Sequence, residues 1–252
     1  MKVGSLLACS MAVVALAACN KNRQESAGTP AANDNIKVTQ ATPPPGGTWA
    51  DVVNMSSADG FVMGNPNAKV KLVEIGSLFC PYCKKFEDEG SPLLVEKYVK
   101  PGNVSWEFRP YVIHGPIDVA ANIVARCSGL KTFFPMSKAL YKDQPILEAK
   151  VTGAPQDKLN QLQSLPPNQA FVAWADLLGL QDWAAARGLP QAKSNQCLAD
   201  QKMIDREVQI TSDVNSQYPD FSGTPSFILN GKMLTKTGDW PTLEPQIKAA
   251  LQ

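Results

Sequence analysis

The pattern of hydrophobic and polar positions divides the chain into three parts. Residues 1–18 hold a nearly continuous apolar run behind Met1-Lys2, which is typical of an export signal. Residues 19–57 are mostly small and polar and include three consecutive prolines. Such a stretch cannot bury enough apolar area to fold, so a disordered, Pro-rich tether is predicted. Residues 58–252 carry periodic apolar positions and are predicted to form the folded domain.

The folded part opens with two strands, a helix and a third strand. Short apolar runs predict strands over 61–64 and 70–75, and the second run is rich in β-branched residues. A helix is predicted over roughly 81–98, and alternation over 104–109 predicts the next strand. The order strand, helix, strand indicates a βαβ unit.

The region from about 115 to 215 shows helical periodicity and no clear strand pattern. Prolines and glycines, among them Pro135 and Pro145, are expected to separate its helices. The candidate helices cover 117–126, 132–141, 168–178, 181–187 and 193–215.

A hairpin and a helix close the chain. Two short strand patterns, over 226–229 and 232–235, flank Asn230-Gly231, which is a strong signal for a two-residue hairpin turn. A last helix is predicted over 241–251. The order of all elements predicts an α/β protein with a thioredoxin fold whose central crossover is expanded by a large helical insertion.

Composition and charge exclude some classes of function. The hydrophobic fraction of 44% is ordinary for a globular protein with a real core. The formal net charge of +1 argues against electrostatic capture of nucleic acid. No interior stretch approaches the roughly 20 apolar residues that span a bilayer.

The end of the export signal resembles the lipobox of bacterial lipoproteins. Leu16-Ala17-Ala18 directly precedes Cys19, so the resemblance implies cleavage before Cys19 and lipid attachment to this cysteine. The alternative is an ordinary signal peptide that is cleaved after Ala17. Lipid attachment would tether the protein to a bacterial membrane on the periplasmic side, where disulfides persist.

The six cysteines then sort by position. Cys9 leaves with the signal peptide, while Cys127 and Cys197 stand alone in the helical region. An even number of remaining cysteines in an exported chain suggests that all of them can pair. Cys127 and Cys197 are expected to form a structural disulfide, whose loop of about 70 residues would stabilise the fold by roughly 4 kcal/mol. The alternative is a second redox couple.

The pair Cys80 and Cys83 is the strongest candidate for chemistry. A lone C-x-x-C is compatible with half of a zinc site, a loop staple or a redox centre. Zinc is disfavoured because no second ligand pair exists and His114, read as a turn residue, is the only histidine. The motif follows a buried-type strand and opens a helix, whose N-terminus favours a thiolate on Cys80. Cys80 is therefore predicted to be the exposed, attacking thiol and Cys83 the resolving one.

Two further motif residues complete a family resemblance. Pro81 suits a first helical turn, and Thr224-Pro225 stands at the start of the hairpin strand, where a cis peptide is plausible. Cys80-Pro81-Tyr82-Cys83 followed by a helical insertion and Gly223-Thr224-Pro225-Ser226-Phe227 resembles the DsbA-like branch of the thioredoxin superfamily over residues 58–252. The resemblance implies that the main chain of Thr224 binds extended client segments and that Pro225 keeps metals off the thiols.

Glu74 is the third candidate of the site. It lies six residues before Cys80 in an apolar run, where the family carries an acidic residue beneath the active site. A buried carboxyl with a raised pKa could relay the proton of Cys83. The alternative is an ordinary solvent-facing strand position.

The resemblance implies a thiol–disulfide oxidoreductase without a cofactor other than its own Cys80–Cys83 disulfide. Its substrates would be unfolded or reduced exported proteins, with a membrane redox partner of unknown identity, and the protein would be a monomer. The long insertion and the lack of a dimerisation domain favour a dithiol oxidase. Tyr82, where the strongest oxidases carry histidine, and Thr224, where typical oxidases have valine, favour an isomerase or reductase instead. A non-catalytic binder of unfolded chains is a third, minor alternative.

Overall fold

Six strands form one sheet in the computed structural model, which describes residues 43–252. The strands are β1 (Val53–Met55), β2 (Phe61–Gly64), β3 (Val70–Gly76), β4 (Val104–Pro110), β5 (Ser226–Leu229) and β6 (Lys232–Met233). Their order in the sheet is β1-β2-β4-β3-β5-β6. Because β3 runs parallel to β4 and antiparallel to β5, it is the central strand on which the rest of the fold is built.

The crossover from β3 to β4 is a helix that begins directly at the cysteine motif. It consists of α1 (Pro81–Glu89), α2 (Ser91–Leu94) and a final wide turn of π-helix, Val95–Val99. The single helix predicted over 81–98 is thus interrupted at Gly90. The ring of Phe86 lies 2.7 Å from where a Cβ of Gly90 would stand, so only glycine fits this close approach.

The predicted helical insertion is confirmed and fills the chain between β4 and β5. Its helices in the described part of the chain are α3 (Pro116–Cys127), α4 (Leu130–Thr152), α5 (Gln156–Gln163), α6 (Pro167–Leu178), α7 (Leu180–Ala185), α8 (Gln191–Leu198) and α9 (Gln201–Gln217).

No predicted helix corresponds to α5, and two further details of the insertion differ from the prediction. Pro135 and Pro145 do not end helices but lie inside α4. The cost of about 3 kcal/mol for an interior proline is offset there by apolar burial, since the neighbours Phe133 and Leu140 are at most 1% exposed. The helix predicted over 193–215 is divided into α8 and α9. Asp200 is the N-cap of α9, and its side chain accepts a hydrogen bond from the backbone N–H of Lys202.

The C-terminal hairpin and helix agree with the prediction. Asn230 and Gly231 have φ of 48° and 84°, the left-handed geometry of a two-residue hairpin turn. The last helix, α10 (Trp240–Leu251), buries Leu243 and Ile247 within the main core. The mixed α/β fold with an expanded crossover is therefore confirmed.

The predicted tether, by contrast, extends too far along the chain. A short 3₁₀ turn, Trp49–Asp51, precedes β1, and β1 pairs antiparallel with β2, so that Val53 lies opposite Met63. This edge strand is short and half exposed, so its pattern gives a weak signal. The predicted signal peptide and the lipidation site Cys19 lie outside the described residues. Within residues 43–252, no helix has the length and apolarity needed to cross a bilayer.

Candidate active site

Cys80 and Cys83 lie at the turn from β3 into α1, as predicted. Cys80 is the N-cap residue of α1, Pro81 opens the helix, and Cys83 lies one turn further in. Both cysteines are free thiols. The prediction that Cys80 is openly exposed is wrong, because its side chain is only 5% exposed, yet it is still less enclosed than Cys83 at 0%. Tyr82 between them is 70% exposed.

The Thr224–Pro225 segment lies against Cys80. The peptide bond between these two residues is cis, which confirms the prediction. The Cys80 thiol donates a hydrogen bond to the carbonyl oxygen of Thr224 at 3.2 Å. The Thr224 hydroxyl is buried and has no hydrogen-bond partner among the described residues. It is therefore available to donate to a Cys80 thiolate.

Hydrogen bonds to its sulfur lower the pKa of Cys80 to about 5. The largest contribution is the side chain of Cys83, and the Thr224 hydroxyl and the backbone N–H groups of Cys83 and Tyr82 add to it, against the opposing effect of burial. This is the chemistry expected of a thiol at a helix N-terminus. Cys80 is thus a thiolate at neutral pH.

Cys83 behaves in the opposite way. Burial raises its pKa well above the ordinary value, and the hydrogen bond to Cys80 and the charge of Glu74 raise it further. The two thiols of one motif therefore differ in charge at neutral pH. This difference agrees with an attacking and a resolving role.

Glu74 lies beneath the motif on the central strand. It is 2% exposed, and the indole N–H of Trp106 on β4 donates to its Oε2 at 3.1 Å. Burial raises the pKa of Glu74 well above its usual range, and the charge of Glu87 adds to this effect. The solvent-facing alternative is therefore wrong, and Glu74 has the environment of a carboxyl that stays protonated.

Glu87 is a site residue that the sequence analysis missed. It lies on α1, one helical turn after Cys83, and burial raises its pKa to about 7. It lines a surface cleft together with Trp106, Phe134 and Lys138. A signal was present in the sequence, because Glu87 shares a helix face with Cys83 at spacing i, i+4.

The helical insertion holds the turn in front of Cys80. The buried carboxylate of Asp118 on α3 accepts from the hydroxyl of Ser77 at 2.9 Å and from the backbone N–H of Phe79 at 3.1 Å. On α4, the Tyr141 hydroxyl donates to the carbonyl of Ser77, and the Gln144 amide donates to the carbonyl oxygens of Leu78 and Cys80. The insertion thus satisfies the backbone of the turn that presents the nucleophile.

Cys127 and Cys197 are not part of this site. They form a disulfide with an S–S distance of 2.04 Å that joins the end of α3 to α8. Cys127 lies nine residues after Asp118 on α3, which corresponds to about 13 Å along the helix axis. The predicted pairing of Cys127 with Cys197 is confirmed, and its distance from the active-site turn favours a structural role over a second redox couple. No cluster of three or more metal-ligating side chains occurs within residues 43–252.

Comparison with known proteins agrees with this fold. A family model described as thioredoxin matches residues 56–249. The crystal structure of a protein-disulfide isomerase from Novosphingobium aromaticivorans has 30% identity and a TM-score of 0.71, over 76% of this chain and 96% of that chain. The structure of Wolbachia pipientis alpha-DsbA1 has a TM-score of 0.60 at 20% identity, over 78% and 93% of the two chains, which supports the fold alone.

Relatives found by sequence are also named protein-disulfide oxidoreductases, and they are longer than this chain. A Rickettsia felis protein is 26% identical to this chain over 216 residues, which is 83% of this chain and 68% of the relative. That protein is named a protein-disulfide oxidoreductase by prediction only. A Rickettsia bellii protein of the same name is 26% identical over 172 residues, and the chain spans only 57% of its length. Since the thioredoxin model covers far more than half of the sequence, the chain belongs to the thioredoxin family, with the fold of its DsbA-like members.

Proposed function

We propose that this protein is a thiol–disulfide oxidoreductase that donates the Cys80–Cys83 disulfide to exported proteins, as a dithiol oxidase. The observation that carries the proposal is the contrast between the two thiols. Cys80 caps a helix against Thr224, and its pKa is lowered to about 5. A stabilised thiolate makes the reduced form of the site favourable and its disulfide correspondingly oxidising.

The reaction begins with a client thiolate attacking Sγ of Cys80, the less enclosed of the two sulfurs. The Cys80–Cys83 bond breaks, and its electron pair passes to Cys83, which takes up a proton because its pKa is raised. A second client thiolate then attacks the client sulfur of the mixed disulfide. Cys80 departs as a thiolate, so the client gains a disulfide and the enzyme two electrons.

Glu74 supplies the proton that Cys83 takes up in this scheme. Its burial and raised pKa favour its protonated form in the resting site, and it lies close enough to Cys83 that its ionised form raises the pKa of that thiol. When Cys83 is reoxidised, the same carboxyl group receives the proton again. A membrane protein of unknown identity would accept the two electrons.

Client binding is assigned to the surface around the cis peptide. The main chain at Thr224 lies directly against Cys80, and the exposed ring of Tyr82 offers an apolar contact beside it. An extended client segment would pair with this main chain as an added strand, without a requirement for particular side chains. Pro225 would deny metals access to the thiols.

The proposed place of action rests on the sequence alone. A lipid on Cys19 would anchor the protein to a bacterial membrane, and the polar chain after it would hold the domain away from the surface in the periplasm. The protein would act there as a monomer.

Catalysed oxidative refolding of a reduced, disulfide-requiring protein tests the proposal. The full chain should accelerate formation of the native client, and Cys80→Ala should abolish the acceleration. Cys83→Ala keeps Cys80 and, given a client that already carries a disulfide, should attack that disulfide and accumulate as a mixed disulfide with the client. Failure of the oxidised protein to transfer its disulfide to the reduced client would contradict the proposal.

A second candidate function is disulfide isomerisation or reduction. It is favoured by the Thr224 hydroxyl beside Cys80 and by the name of the Novosphingobium relative. In that case the protein would rescue a scrambled client and leave a reduced one unchanged.

A further inference from the structure

His114 joins the active-site turn through a set of hydrogen bonds. It lies in the loop between β4 and α3, and its Nδ1 is 3.1 Å from Ser77 Oγ and 3.2 Å from Asp118 Oδ2. Its backbone N–H also donates to Asp118 Oδ2 at 2.8 Å. The side chain of His114 remains 37% exposed, so it lies on the solvent side of the turn.

The partner of His114 is a fully buried carboxylate. Every hydrogen bond that Asp118 makes is accepted, from Ser77, from the backbone of Phe79 and from His114. A buried anion requires a cation or several donors nearby. In the described part of the chain, His114 is the one basic side chain within ion-pair distance of Asp118.

The same bonds connect His114 to Cys80. Phe79, which donates to Asp118, directly precedes Cys80, and the backbone N–H of Cys80 donates to the carbonyl oxygen of Ser77 at 3.1 Å. His114 is therefore linked to the segment that leads into the nucleophile, directly at Ser77 and through Asp118 at Phe79. The insertion supplies this imidazole from outside the C-x-x-C motif.

We propose that His114, fixed as an imidazolium by Asp118, stabilises the Cys80 thiolate and so makes the Cys80–Cys83 disulfide more oxidising. His114 acts through the charge of Cys80, which makes it a positioning residue. The inference rests on the proposed oxidase function. Tyr82, between the two cysteines, cannot carry a positive charge, and His114 would supply that charge from outside the motif.

The electrostatics of the cluster agree with this role. The hydrogen bond to Asp118 raises the pKa of His114, and the charge of Cys80 raises it further. The attraction between two charges is mutual, so the imidazolium lowers the pKa of Cys80 in addition to the larger effect of the hydrogen bonds to its sulfur. The other charged neighbour is Glu148 on α4, which faces both His114 and Cys80.

The test compares His114→Gln, which keeps a hydrogen-bond donor, with His114→Arg, which keeps the charge. The thiolate absorbance of the reduced full chain is titrated, and the curve of the matching Cys80→Ser protein is subtracted. His114→Gln should raise the pKa of Cys80 by about half a unit to one unit, and His114→Arg should leave it low. Glu148→Gln removes a negative charge from the same neighbourhood and should lower it.

The equilibrium with glutathione gives the second readout. At pH 6 the disulfide of His114→Gln should be about threefold to tenfold less oxidising than that of the unaltered protein, whereas at pH 9.5, where the imidazole is neutral, the two should agree. Equal pKa values for Cys80 in the two proteins, or a difference that persists at pH 9.5, would overturn the inference. A potential like that of thioredoxin in the unaltered protein would instead contradict the oxidase proposal and leave the His114 comparison intact.

Discussion

The Cys80–Cys83 pair and the Cys127–Cys197 pair share one domain but differ in what surrounds their sulfur atoms. Cys80 is held at a helix N-terminus by hydrogen bonds that favour a thiolate, and Cys83 is buried beside a carboxyl group. Cys127 and Cys197 join α3 and α8 within the insertion as a closed disulfide. Environment, and not the presence of two cysteines, therefore decides which pair can exchange.

The two ends of helix α3 in the insertion serve different purposes. Near its N-terminus, α3 contributes Asp118 to the active-site turn, and at its C-terminus it carries the disulfide. The staple fixes the helix that presents Asp118. One helix thus links a stability element to a redox element.

The largest expected effect is on activity. Cys80→Ala should reduce catalysed client oxidation to the uncatalysed rate, because the nucleophile and leaving group are lost. The Cys127→Ala/Cys197→Ala double variant should keep most of the activity at temperatures where it is folded. Refolding of a reduced client by each protein measures this, and comparable losses in both would erase the distinction between the pairs.

For the free energy of unfolding, loss of the Cys127–Cys197 pair should matter more than loss of Cys80. The Cys127→Ala/Cys197→Ala variant is expected to lose about 4 kcal/mol of unfolding free energy, because a loop of 70 residues is no longer closed in the unfolded chain. Urea denaturation under oxidising conditions measures the loss. A stability equal to that of the unaltered protein would show that the staple has no structural role.

Glu74→Gln tests whether the buried carboxyl group exchanges a proton with Cys83. Removal of the buried proton donor should slow formation of the mixed disulfide, the step in which Cys83 takes up a proton, by about a hundredfold at most. Because the pKa of Glu74 is raised in the folded protein, its charging destabilises the fold as pH rises from the ordinary carboxyl range through the raised value. The variant should therefore be the more stable protein at pH 8, with the difference vanishing towards pH 4. A Glu74→Gln protein with unchanged turnover and unchanged pH dependence would remove Glu74 from the mechanism.

The smallest effect concerns the pH profile of alkylation. With a pKa of about 5, Cys80 should react with iodoacetamide at a rate that falls about tenfold between pH 6 and pH 4, in proportion to its thiolate fraction. Cys83 should stay unreactive over this range. Mass spectrometry of the labelled peptides separates the two residues, and a Cys80 midpoint near pH 8.5 would contradict the thiolate assignment.

Features that depend on short stretches of chain could be predicted from the sequence. The cysteine motif behind an apolar strand, the Thr224-Pro225 step and the Asn230-Gly231 turn each carry their signal within a few residues. For the same reason the structure agrees with the βαβ unit and the hairpin that the sequence predicts.

Features that depend on packing could not be predicted in this way. Asp118, Tyr141 and Gln144 reach the active-site turn from sequence distances of 39 or more residues, which no local pattern encodes. Pro135 inside α4 is tolerated only because its neighbours are buried. The edge strand β1 depends on pairing with β2.

The reduction potential of the Cys80–Cys83 couple, measured for the full chain in glutathione buffers at pH 7, tests the central claim most directly. A thiolate stabilised by the helix N-terminus, Thr224 and Cys83 predicts a potential nearer to that of a strong oxidant, about −120 mV, than to that of thioredoxin, about −270 mV. A value at or below that of thioredoxin would contradict the account and identify the site as a reductant.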